Sequence, residues 1–167
     1  MQLRTLYHDE ALLVAEFAGV CIAVWRGDVT PALFECQRAG LASVLRMNPR
    51  DAGFLCVIED GSPPPSEELR KAGAEMVRAA GSELKRIACV IESTGFMAAM
   101  KRSVLSGIQL LAGRKANVTA FFSTVSEAAR WLADELAFDA ELLEKQLAER
   151  RAAASNTDLK PATQRRS

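Results

Sequence analysis

Histidine and tyrosine occur once each in this chain, as His8 and Tyr7. With one histidine, a metal centre built on histidine and cysteine is poorly supplied. The four cysteines, Cys21, Cys36, Cys56 and Cys89, form no C-x-x-C pair. Three lie in apolar strand-like runs and one in a helical pattern, so they read as reduced, buried small hydrophobes. Surplus charge is also missing: 21 basic residues balance 21 acidic ones. Nucleic-acid binding needs a basic surplus or a basic face, so no nucleic-acid partner is expected. Arg4, His8, Asp9 and Glu10 interrupt the start, so no basic-then-apolar leader is expected there. No apolar run approaches the roughly 18 residues that cross a bilayer. A cytoplasmic protein with no membrane span is the expectation. No residue pattern calls for a cofactor, and none is expected.

Alternation of short apolar runs and helical patterns is what the chain has in quantity. With 167 residues, nearly half of them hydrophobic, it can build one ordinary domain with a real core. Met1–Tyr7 is weakly patterned and reads either as an edge strand or as surface chain. Leu12–Phe17 and Val20–Trp25 are strand-like runs around Ala18-Gly19, a hairpin signal. Both sides of the second run are apolar, so it should be buried on both faces. Thr30-Pro31 starts a helix, with Thr30 as N-cap and Pro31 at the first position. Leu33, Gln37, Leu41 and Val44 recur at helical spacing, and Met47-Asn48-Pro49 ends the pattern.

Phe54–Ile58 reads as the central buried strand. It breaks at Glu59-Asp60-Gly61, passes three prolines and meets Ser66, the N-cap of the next helix, which has Glu67 and Glu68 in its first turn. Ile87–Ile91 is a further strand with Ser93-Thr94-Gly95 as its exit loop, followed by a helix over 96–112. Val118–Phe122 is the last strand. Thr124 with Glu127 fits a capping box, and a helical face then runs to about Arg150. That stretch is long for a globular helix. A break near Phe138-Asp139, a return onto the body and a projection toward a second subunit are all open.

The fold class expected is therefore α/β: a single mixed, mainly parallel sheet with an N-terminal hairpin and four helices, plus a C-terminal helical extension. Residues 1–137 form the domain, 138–152 the extension, and 153–167 a polar tail expected to be disordered.

The order and several short stretches resemble the STAS domain of bacterial anti-sigma factor antagonists, over roughly residues 11–137. Leu13–Phe17, Val20–Arg26, the turn Gly27-Asp28-Val29-Thr30, Phe54–Asp60, and Phe121-Phe122-Ser123 before Glu127-Ala128 carry it. Val90–Phe96, Leu105–Leu111 and Trp131-Leu132 look closer to a divergent branch described as STAS/SEC14-like. The resemblance implies a non-enzymatic regulatory module that binds a kinase, a sigma-type regulator or another signalling component. Kinase-regulated members carry a phosphorylatable serine just after the central strand. Here the matching segment, Asp60 to Ser66, keeps Asp60 and Ser62 but inserts three prolines.

Three constellations follow. Asp60, Ser62 and Ser66 form a candidate interaction or phosphoacceptor loop, with plain N-cap and loop roles as the alternative. A phosphate at that helix start would meet free N–H groups but also Glu67 and Glu68. Ser93, Thr94, Gly95 and Lys101 form a candidate anion site, with turn and cap chemistry as the alternative. Asp28, Glu59, Asp60 and Glu92 end strands and read as a solvated acidic rim. Acid–base catalysis would need two or more of Asp28, Asp60 and Glu92 to converge on one pocket. The Val125–Leu147 stretch is the candidate homodimer surface. A small apolar ligand or lipid, as in SEC14-like domains, is the alternative function.

Overall fold

The computed structural model describes residues 1–113 and 118–157. Six strands form one sheet in sequence order: β1 (Arg4–His8), β2 (Leu12–Phe17), β3 (Val20–Trp25), β4 (Ala52–Ile58), β5 (Leu84–Ile91) and β6 (Thr119–Phe122). β1, β2 and β3 pair antiparallel, and β3 through β6 pair parallel. The weakly patterned start is thus a real edge strand. Ala18 and Gly19, both at positive φ, make the two-residue connection between β2 and β3. Left-handed backbone at both central positions matches the strands' right-handed twist. Each parallel crossover carries a helix, as parallel pairing requires.

The helices are α1 (Pro31–Met47), α2 (Glu67–Ala80), α3 (Gly95–Leu111), α4 (Val125–Leu136) and α5 (Ala140–Thr157). Their starts follow the local chemistry. Thr30, Ser66 and Thr124 each accept a hydrogen bond from the N–H three residues on, at Leu33, Leu69 and Glu127. Pro31 sits at the first position of α1, where its missing N–H costs nothing.

Helices cover both faces of the sheet, and strand alternation sorts the core into two halves. Leu12, Val14, Cys21, Ala23, Trp25, Phe54 and Cys56 pack toward α1, α2 and α3. Leu13, Ala15, Phe17, Ile22, Val24, Leu55 and Val57 pack toward α4 and α5. Neighbouring residues of β2, β3 and β4 are therefore buried on opposite sides, which explains why these strands read as continuous apolar runs. α1 lies close on β2: a Cβ at Gly40 would sit 2.5 Å from Val14 Cγ1.

The C-terminal stretch is two helices. Ala137, in the left-handed conformation, ends α4, and the Asp139 carboxylate accepts from Leu142 N at 2.9 Å to start α5. α5 returns onto its own sheet, burying Leu143, Leu147 and Ala154, and Gln146 Oε1 accepts from Leu3 N on the β1 side. Within the Val125–Leu147 stretch, Leu132 and Leu143 are buried inside the chain, and Leu136 is half-buried. α5 also continues to Thr157, past the expected boundary at residue 152. The rest of the expected tail, 158–167, lies outside the described residues. Among the described residues no helix is long and apolar enough to cross a membrane.

Candidate functional site at the carboxyl ends of the strands

In an open α/β sheet, functional groups gather beyond the carboxyl ends of the parallel strands. Here those ends are β3, β4 and β5. The ladder runs one residue past β4 and β5: Glu59 N donates to Trp25 O at 2.9 Å, and Glu92 N to Ile58 O at 3.1 Å. The two carboxylates are thereby held side by side. Arg151 of α5 bridges them. Its Nη2 lies 2.7 Å from Glu59 Oε1 and 2.7 Å from Glu92 Oε2, and its Nη1 lies 2.9 Å from Glu92 Oε1. Arg26, at the end of β3, approaches Glu59 at 3.6 Å. Hydrogen bonding to Glu92 is the main influence that holds Arg151 above its ordinary pKa. Partial burial opposes the shift, and Glu59 adds to it. A planar guanidinium fits this two-carboxylate geometry in a way that an ammonium would not.

A second knot lies beside the first. Lys101, on the inner face of α3, is 2 % exposed. Its ammonium donates to Glu59 O (3.1 Å), Asp60 O (3.0 Å) and Ser93 Oγ (2.7 Å). The chain leaves the ladder at Glu59, where Glu59 O accepts from Ser62 N as well as from Lys101, and Lys101 also supplies a donor to Asp60 O. All three of its N–H bonds are committed in this way.

The loop from Asp60 to Ser66 is fastened at both ends. Ser62 N donates to Glu59 O, and Ser62 Oγ donates to Gly27 O at 2.8 Å. Ser62 is 1 % exposed, so its hydroxyl is committed inside the loop. Ser66 is exposed and caps α2. The side chains of Asp60 and Pro63 face solvent.

Of the proposed anion site, Ser93 and Lys101 do meet, but with each other. Thr94 caps α3 without a side-chain bond, and Gly95 follows at φ 60° with open space around it. Lys101 is a strut under the loop, bonded within the chain to Glu59 O, Asp60 O and Ser93 Oγ. The acidic rim divides: Asp28 and Asp60 are exposed, whereas Glu92 meets Glu59 across Arg151.

Under the proline loop lies an apolar cavity of about 80 Å³, between the sheet and α1, α2 and α3. Trp25, Phe34, Phe54, Met76 and Ile108 wall it, and Pro63, Pro64 and Pro65 border it. Its polar lining includes Gln37, which is 4 % exposed. Gln37 Oε1 accepts from Trp25 Nε1 at 2.6 Å, and its amide nitrogen reaches only as far as the Met76 sulfur, at 3.8 Å. Cys56 and Cys89 also line the cavity. Burial pushes the Cys56 thiol up to about 12 and raises that of Cys89 well above its ordinary value, so neither is a nucleophile at neutral pH.

Arg26 and Arg151 were not among the residues singled out from the sequence. Nothing local marks Arg151, because it meets partners 92 and 59 residues away. Gln37 carried a usable signal, since it is the one polar residue among Leu33, Leu41 and Val44 in the buried register of its helix. Compared with known proteins, the chain matches no family model, no curated protein and no solved structure.

Proposed function

We propose that this chain is a non-enzymatic protein-interaction module of the STAS, anti-sigma-antagonist type, working through the Asp60–Ser66 loop. One observation carries the reading. Ser62, Lys101, Glu59, Glu92 and Arg151 are engaged in holding the loop and the C-terminal helix, while the loop itself stands out with Asp60, Pro63 and Ser66 exposed. Three consecutive prolines, the Ser62 bond to Gly27 and the Lys101 strut leave it little freedom. A surface held in one conformation loses little entropy on docking, which favours affinity. The partner fitting the resemblance is a regulatory kinase, a sigma-type regulator or a component of a signalling assembly. With Ser62 committed, Ser66 is the accessible hydroxyl of the loop, and a phosphate on it would lie at the start of α2 beside Glu67 and Glu68.

The test is affinity capture from the host's lysate with the wild-type chain and with an Asp60→Arg, Pro63→Glu variant. Both substitutions lie on exposed side chains and spare the Ser62 and Lys101 bonds. A protein retained by the wild type and lost with the variant supports the reading. A partner held equally by both contradicts it.

The cavity favours a second reading, as a receptor for a small apolar ligand. Its volume places that reading second. At about 80 Å³ it is smaller than the roughly 150 Å³ that accommodates benzene. A lipid chain would need α3 or the proline loop to move. Co-purified lipid in organic extracts of the native protein would reverse the ranking.

A further inference from the structure

α3 carries more large apolar residues than it buries. Of its residues only Lys101 and Ile108 are buried, yet it carries Phe96, Met97, Met100, Val104, Leu105, Leu110 and Leu111. Val104, Leu105 and Ile108 face the cavity. Phe96 and Leu110 lie on the opposite side and are 80 % and 82 % exposed, while Leu111 at 56 % and Met97 at 40 % are exposed at the two ends of the helix, near the register of Val104 and Ile108. Large apolar side chains left in water at both ends of one helix call for a covering. Between Phe96 and Leu110 the exposed stripe continues through Ala99, Ser103 and Ser106, which are small and uncharged. Its ends lie about 21 Å apart along the helix.

Charge identifies the covering. From Ser93 to Ser126 the sequence has no aspartate or glutamate, although the whole chain has 21 acidic residues. The same stretch carries Lys101, Arg102, Arg114 and Lys115. Lys101 is internal, but Arg102 is exposed on α3. Arg78 of α2 stands at the far end, its Nη2 donating to Leu111 O at 2.6 Å beside the exposed leucines. Bulky apolar side chains flanked by cations, with no acid between them, match the surface of an anionic bilayer. A second copy of the chain would fit less well, because a two-fold contact along this stripe brings Arg102 toward its own copy with no acid in the stretch to offset it.

We infer that the outer face of α3 is a peripheral binding surface for anionic lipid. Phe96, Leu110 and Leu111 enter the headgroup boundary, and Arg102 and Arg78 meet the phosphates. This is a second surface, beyond the loop assigned to a protein partner.

The experiment is vesicle co-sedimentation of the full chain, with vesicles of phosphatidylglycerol and phosphatidylcholine in equal parts and of phosphatidylcholine alone. Binding to the first and much weaker binding to the second is expected, falling as salt rises. Phe96→Ser with Leu110→Ser should weaken binding at least about tenfold, from the apolar area withdrawn. Arg102→Gln should weaken it about fivefold. Because these side chains are exposed, the variants should keep the wild-type circular dichroism and melting temperature. A variant that unfolds is replaced by Leu110→Ser alone. Absence of wild-type binding to the anionic vesicles overturns the inference, and so does binding indifferent to both variants. A concentration-dependent dimer abolished by the Phe96/Leu110 variant, without vesicle binding, assigns the face to a second copy instead.

Discussion

Lys101 shows how one side chain sets the shape of the candidate site. Its ammonium gathers two main-chain carbonyls and a serine hydroxyl that face no sheet partner. Lys101→Met keeps the length and removes all three donors. Hydrogen bonds to a charged group are worth roughly 1.5–3 kcal/mol each and losses within one network do not add, so the variant should lose about 2–3 kcal/mol in denaturant unfolding. Backbone amides of residues 59–62 should also exchange faster with deuterium. At the other sheet edge, the Asp9 carboxylate accepts from Tyr7 Oη, Ala11 N and Leu12 N, each at 2.8 Å. Burial raises its pKa, but these bonds together hold it below the ordinary value. Its folded-state pKa is therefore depressed. The stability it contributes is present above the unfolded value of about 3.9 and fades as pH falls through the folded value. Asp9→Asn should be destabilising at neutral pH, and the gap from wild type should narrow in acid titrations followed by chemical unfolding. For the thiols, Cys21, Cys56 and Cys89 are buried and pushed up by desolvation, while Cys36 is half-buried. A disulfide reagent should label Cys36 first and the other three only on unfolding, as counting modified thiols would show.

Among the elements, α5 has the most to reveal, because its polar end locks the strand ends. Arg151→Ala would leave Glu59 and Glu92 side by side without the bridging guanidinium. Arg151 and both carboxylates are partly exposed, so the loss should be about 1–3 kcal/mol rather than that of a fully buried pair. The loss should shrink at high salt, and α5 amides should lose protection from exchange. A variant as stable as wild type would show that the bridge does not hold the helix. The elements also show what sequence reasoning reaches. Thr30-Pro31, Ser66 and Thr124 with Glu127 announce their helices because capping is local chemistry. The break before Asp139 was one of the open outcomes for the same reason. β1 was harder, since Arg4–His8 shows no clean alternation and is recruited by pairing with β2. The return of α5 rests on Leu143, Leu147 and Arg151 meeting partners far away in sequence, and no local pattern encodes which side of the sheet they choose. The candidate site divides in the same way. Ser66 was readable, whereas the commitments of Ser62 and Lys101 depend on contacts 35 to 42 residues apart.

At the scale of the whole molecule, the sheet carries helices on both faces and two different kinds of surface. One is the polar, fastened loop at the strand ends. The other is the acid-free outer face of α3, with its exposed apolar side chains and Arg102, on the same side of the sheet as the cavity. The loop's exposed groups and the exposed side chains of α3 belong to different elements and can be substituted independently. The two readings therefore fail separately. Loop substitutions should leave vesicle binding intact, and α3 substitutions should leave partner capture intact. The central claim is that the Asp60–Ser66 loop is the partner's docking surface. Hydrogen–deuterium exchange of the full chain, with and without the captured partner, tests it most directly. The account predicts new protection concentrated in residues 59–68, with the α3 face unchanged. Protection confined to other elements, with residues 59–68 exchanging as in the free protein, would contradict it.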